Sequence, residues 1–134
     1  MSQPQAVYRT KRSEHAEQSV VVRWAQLSAK RWPELDTLYA IPNGAKLSNG
    51  GRGWTKLAAE GARKGMPDLC LPCARNGYHA LYIEMKVNDN KPTEDQARIM
   101  DLLHQQGNLA IPCWTAGEAI QALQEYLESG EMPY

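Results

Sequence analysis

Apolar positions along the chain change period several times, and each change predicts an element. From Ser13 to about Arg31, Glu17, Val20, Val21, Trp24, Leu27 and Ser28 follow i, i+3, i+4, i+7 spacing, which predicts a helix with those residues on its inner face. Ser13 is placed to cap it, Glu14 and Glu17 suit the positive end of its dipole, and Pro33 ends it. Leu38–Ile41 reads as a short strand stopped by Pro42-Asn43-Gly44. Two apolar runs follow, roughly 68–73 and 79–87, joined at Asn76-Gly77, the dipeptide that a tight hairpin favours. Asn88–Lys91 is a polar loop. Thr93-Glu94-Asp95-Gln96 is a T-x-x-Q capping box, opening a helix that Gly107 closes. Asn108–Trp114 reads as a further strand. Thr115-Ala116-Gly117-Glu118, T-x-x-E, opens a helix through Ala119, Ile120, Leu123, Tyr126 and Leu127 that stops near Gly130. The order is α-β-β-β-α-β-α, with a short extra helix available at Trp54–Ala62, and it predicts an α/β fold with a central mixed β-sheet flanked by helices.

Length adds that this is one domain. With 134 residues, positions 13–130 hold all the patterned elements, between a flexible basic arm at 1–12 (Arg9, Lys11, Arg12) and a short tail at 131–134. No apolar run approaches the ~20 residues that span a bilayer, and the N-terminal stretch has no apolar run of signal-peptide type. Three cysteines, Cys70, Cys73 and Cys113, form no disulfide framework and fit a reducing, cytoplasmic compartment. Cys70-x-x-Cys73 would need two more ligands to hold zinc, with only His79 or Cys113 as near candidates, and cysteine in such a strand packs as a small apolar group.

Charge changes the picture more than its total suggests. The formal net charge is zero, but it is segregated. Residues 44–65 set Lys46, Arg52, Lys56, Arg63 and Lys64 against Glu60 alone, whereas Thr115–Tyr134 carries Glu118, Glu125, Glu128 and Glu131 with no Lys or Arg. The basic, glycine-rich segment is expected to meet DNA, with Asn43 at its start. A dimer would double that positive face along one duplex or junction. Trp54, inside this segment, is a candidate for stacking on a base or for a dimer contact, whereas Trp24 on its helix face is read as core.

The candidate chemistry lies in Gly65–Lys86. Side chains alternate along a strand, so Tyr82, Glu84 and Lys86 share one face while Leu81, Ile83, Met85 and Val87 share the other. An acid and a lysine leaving an otherwise apolar strand together are costly without a task. If the two runs pair as a hairpin, Asp68 comes beside Glu84. Two carboxylates are hard oxygen ligands suited to Mg²⁺ or Mn²⁺, and an adjacent ammonium can orient or deprotonate water and offset developing charge. Beside a basic loop, the natural substrate is a phosphodiester in nucleic acid. Glu17 can add a third carboxylate. Gln96 can reach the same centre with its amide, or serve only as the capping residue of its helix.

Pro67-Asp68, fifteen residues, then Glu84-Met85-Lys86 resembles the PD-(D/E)XK nuclease motif. The wider pattern resembles the VRR-NUC branch of that superfamily. It comprises Glu14-His15-Ala16-Glu17-Gln18 with Trp24, Ile41-Pro42-Asn43-Gly44, Gly65-Met66-Pro67-Asp68-Leu69, Tyr78 to Lys86, Gln96, and Glu118-Ala119 with Tyr126-Leu127. The resemblance implies a restriction-endonuclease-like fold and a metal-dependent nuclease. It implies Asp68, Glu84 and the Met85 carbonyl as metal ligands and Lys86 as the catalytic lysine, with Glu14 or Glu17 as the helix-one acid. Ala80 stands where the family often has glycine. Stand-alone members of this size look phage-encoded and are thought to act as homodimers on branched DNA, in the manner of Holliday-junction resolvases. A flap- or end-processing nuclease, and a non-catalytic DNA-binding protein on the same fold, are the alternatives.

Overall fold

The computed structural model describes residues 13–42 and 52–130. The arm at 1–12, the tail at 131–134, and Asn43 and Lys46 lie outside them. Four helices and four strands follow in the order α1 (Glu14–Ser28), β1 (Tyr39–Ala40), α2 (Arg52–Ala59), β2 (Leu69–Leu71), β3 (Leu81–Met85), α3 (Glu94–Gln105), β4 (Leu109–Cys113) and α4 (Ala116–Glu128). A 3₁₀ turn, Pro33–Thr37, links α1 to β1. The predicted order is thus present, with α2 as the extra short helix.

The sheet runs β1-β2-β3-β4, antiparallel except for the parallel pair β3 and β4. Parallel neighbours need a crossover, and α3 supplies it. The β2–β3 hairpin closes at Asn76 and Gly77, whose φ values of +48° and +87° are the two left-handed residues that a tight hairpin turn requires. Pro112 has no N–H to give to a ladder, and it sits on the edge strand β4, where none is needed.

One sheet face makes the core. Leu69, Leu71, Leu81, Ile83 and Met85 pack with Val21 and Ala25 of α1 and Ala119, Leu123, Tyr126 and Leu127 of α4. Each such large side chain contributes roughly 1.5–3 kcal/mol on burial. The inner face of α1 is rotated from the expected one. Val21 and Ala25 are buried, while Val20 and Leu27 are 50% and 67% exposed. Val20-Val21-Val22 offers the helical period several faces, and the small Ala25 lets α1 approach β3 and α4 closely. Trp24 is half-buried and packs on Trp32, ring centroids 6.0 Å apart, beneath the Arg31 guanidinium.

The hairpin's closed end is tied down. Arg75 pairs with Glu34 and donates to Leu127 O at the end of α4, and the Tyr126 hydroxyl donates to Cys73 O at 2.6 Å. These bonds leave the opposite end of β2 and β3 as the end where side chains can face outward from a fixed frame.

Candidate active site

That open end carries the acids. The pairing Leu69↔Ile83 continues one step further, because Asp68 N–H donates to Ile83 O at 3.0 Å. Asp68 therefore lies across from Glu84, as the hairpin register requires. Lys86 extends β3 past Met85, its N–H donating to Cys113 O at 2.9 Å, so Glu84 and Lys86 stay on one face. All three are buried, with relative exposures of 2%, 1% and 6%.

Several bonds hold this row. Asp68 Oδ2 accepts from Met85 N–H at 2.8 Å. Glu84 Oε1 accepts from the Gln96 side-chain amide at 3.0 Å and lies 3.9 Å from Lys86 Nζ, while Glu84 Oε2 is enclosed. Gln96 does both of the jobs that the sequence left as alternatives. Its Oε1 accepts from Thr93 N–H and completes the capping box, and its Nε2 holds Glu84. A carboxamide has an acceptor end and a donor end, so the two roles divide between them. Gly65 lets this assembly close. Its φ is +89°, and a Cβ there would come within 3.0 Å of the Asp95 backbone in the first turn of α3.

Other expected site residues are distributed more widely. Glu17 Oε1 accepts from Ala116 N–H at 3.3 Å, at the start of α4, where the dipole favours a carboxylate. Among the described residues no group of three or more His, Cys, Asp and Glu side chains is arranged to hold a metal ion, so Glu17 forms no such cluster with Asp68 and Glu84. Lys64 meets Asp95 at 3.6 Å, an exposed pair worth at most about 1 kcal/mol. Lys56 is exposed near the end of α2, which Arg52 opens and in which Trp54 is half-buried, and Arg63 follows that helix beside Tyr39 and Tyr82.

A second row was not foreseen. Tyr39 pairs with Cys70, Cys70 with Tyr82 and Tyr82 with Ala110, so Tyr39, Cys70 and Tyr82 cross three strands on the face that carries the acids, one step along from Asp68 and Glu84. A hydrogen bond with the Cys70 thiol and burial push the Tyr39 hydroxyl up to about 12, burial pushes Tyr82 up, and burial outweighs the tyrosines in raising Cys70. All three groups stay neutral at physiological pH. Cys70 is buried, as expected of a packing residue, and all three cysteines are free thiols. Only the strand register reveals the row, since Tyr39 is far from the hairpin in sequence.

The model of the VRR-NUC domain matches residues 1–115. The chain belongs to the VRR-NUC family. A solved structure of a VRR_NUC domain protein superposes with a TM-score of 0.74 at 25% identity, covering 92% of this chain and 95% of that one. No curated protein matches significantly. The fold is therefore the mixed α/β, restriction-endonuclease-like fold of the PD-(D/E)XK nucleases, and the VRR-NUC domain makes the chain a nuclease whose substrate is DNA. Members of this family generally need divalent metals, and the donor set fits one. Asp68 and Glu84 put hard oxygens side by side, with the Met85 backbone adjacent and its side chain in the core. Two carboxylates, completed by water and substrate phosphate, are the usual protein share of a Mg²⁺ site.

Proposed function

We propose that this VRR-NUC domain is a Mg²⁺- or Mn²⁺-dependent, structure-specific endonuclease that hydrolyses phosphodiester bonds in branched DNA. The observation that carries the proposal is the row formed by Asp68, Glu84 and Lys86, buried on one face of the hairpin and tied to Gln96. Burying two acids and a lysine is costly unless they have work to do.

Asp68 and Glu84 hold the cation, with the Met85 carbonyl as a further ligand. A cation held by these residues would supply Lewis-acid chemistry toward a phosphate oxygen and a nucleophilic water. Lys86 orients the attacking water and offsets the charge that builds on the phosphate oxygens. Gln96 fixes the Glu84 carboxylate. Lys46, Arg52, Lys56, Arg63, Lys64 and Asn43 contact the phosphate backbone and position the strand.

The enzyme acts as a homodimer in the cytoplasm of a bacterial host, as a phage or prophage protein. Val20 and Leu27, one face of α1 and largely exposed, support pairing. Three free cysteines suit that compartment.

Labelled four-way junctions, flaps and linear duplex are digested with Mg²⁺ or Mn²⁺, with and without EDTA, beside Lys86→Ala. Cleavage confined to branched substrates, abolished by EDTA and slowed at least ~10²–10³-fold in Lys86→Ala supports the proposal. Equal cutting by Lys86→Ala sinks the mechanism. Cuts mapped only to flaps or ends replace junction resolution with end processing.

A further inference from the structure

Tyr39 and Tyr82 line a cavity of about 400 Å³, in the lower part of the ~300–1,000 Å³ range of ligand sites. Ile41, Leu57 and Met66 are among its apolar lining residues, and Arg63 lines it too. We propose that this cavity takes one unpaired nucleotide of the DNA strand next to the bond being cut, with its base against Tyr39 and Tyr82 and its phosphate near Arg63.

The position argues for it first. Tyr82 and Glu84 are two residues apart on β3, as are Cys70 and Asp68 at the other side of the hairpin. Two residues of strand advance about 7 Å, so the tyrosine pair lies within one nucleotide's reach of the carboxylates. The cavity chemistry argues for it next. Tyr39 is 49% exposed although it packs on a buried thiol, so its ring is an open aromatic surface. Tyrosine is neutral at physiological pH, so neither side chain repels a phosphate chain. Every base has a π-face, so such a surface accepts any base. The two charged lining groups suit the two ends of a nucleotide: Arg63 offers donors to a phosphate, and Glu60 accepts from a base amino group. The cavity's size admits a nucleotide but not a duplex, which selects for the unpaired or distorted positions that branched DNA contains.

This proposal rests on the reading of the domain as a DNA endonuclease, but its test does not need cleavage. A four-way junction carries 2-aminopurine in turn at each nucleotide around the branch. The full chain is added in EDTA, and quenching and affinity are read by fluorescence. One position is expected to quench on binding. Tyr39→Leu/Tyr82→Leu abolishes that quenching and weakens binding about tenfold, the scale of one lost base stack. Tyr39→Phe/Tyr82→Phe, which keeps the rings, restores both. An abasic site at the same position weakens the parent about tenfold and leaves the leucine variant unaffected, which also guards against a variant that folds poorly. Quenching at no position, or equal quenching in the leucine variant, overturns the proposal. Full quenching without cleavage in Mn²⁺ leaves the nucleotide site standing and overturns the endonuclease reading instead.

Discussion

The two faces of the β2–β3 hairpin come from the same few residues and do opposite work. Leu69, Leu71, Leu81, Ile83 and Met85 point to α1 and α4 and are almost wholly buried. Asp68, Cys70, Tyr82, Glu84 and Lys86 alternate with them and point the other way. On the first face, burial is the source of stability. On the second, burial of charge works against stability and is sustained by a few bonds from Met85, Gln96 and the Glu84–Lys86 pair. The core face pins the register, and the register brings the charged face together. A slip of one residue would exchange the faces, which the core forbids.

The sharpest break between the faces is a pair of variants. Ile83→Ala should lose ~2–5 kcal/mol in urea unfolding, through lost burial and the cavity it leaves. Replacing Glu84→Gln and Lys86→Met together should leave stability level or up to ~4 kcal/mol higher, because a buried ion pair is often no better than packed neutral groups, while cleavage disappears. If the double variant unfolds as readily as Ile83→Ala, the charged face is structural and the contrast fails.

Gln96→Ala tests the join between helix and site. The lost half of the capping box and the lost bond to Glu84 should lower stability by ~1 kcal/mol and slow cleavage. Thr93→Ala breaks the cap from its other side, so it should cost similar stability but leave more activity. Equal activity in the two variants would separate Gln96 from the chemistry.

The smallest effect lies on the core side, at the closed end. Burial pushes the Tyr126 hydroxyl up to about 12 from 10.0, so the folded state keeps its proton longer than the unfolded chain does. The stability that Tyr126 contributes is complete below pH ~10 and falls away as pH rises through ~12. Tyr126→Phe should lower stability by ~1 kcal/mol at pH 8, by removing the donor to Cys73 O. It should also flatten that alkaline decline, measured as the urea midpoint between pH 9 and 12. An unchanged slope would rule out Tyr126 as its source.

Much of this molecule was legible in the sequence, and for local reasons. Strand alternation assigned Glu84 and Lys86 to one face, and Asn76-Gly77 required the hairpin turn. The capping residues Ser13, Thr93 and Thr115 each accept the bond their motif implies. At Thr115 the box is incomplete, because Glu118 reaches back to Trp114 N–H instead. Each of these features depends on residues close in sequence or on the strict period of a strand.

What the tertiary structure alone decided depends on distant pairs. Which stripe of α1 is inward was settled by packing against β3 and α4, because three successive valines satisfy a 3.6-residue period from more than one start. That Gln96 serves cap and site together follows from where α3 docks beside β3. Glu17 is drawn to the start of α4, 99 residues away, by the helix end it meets there. The row Tyr39–Cys70–Tyr82 exists only because β1 pairs with β2, and two strands separated by a long segment have no local spacing from which a register can be read.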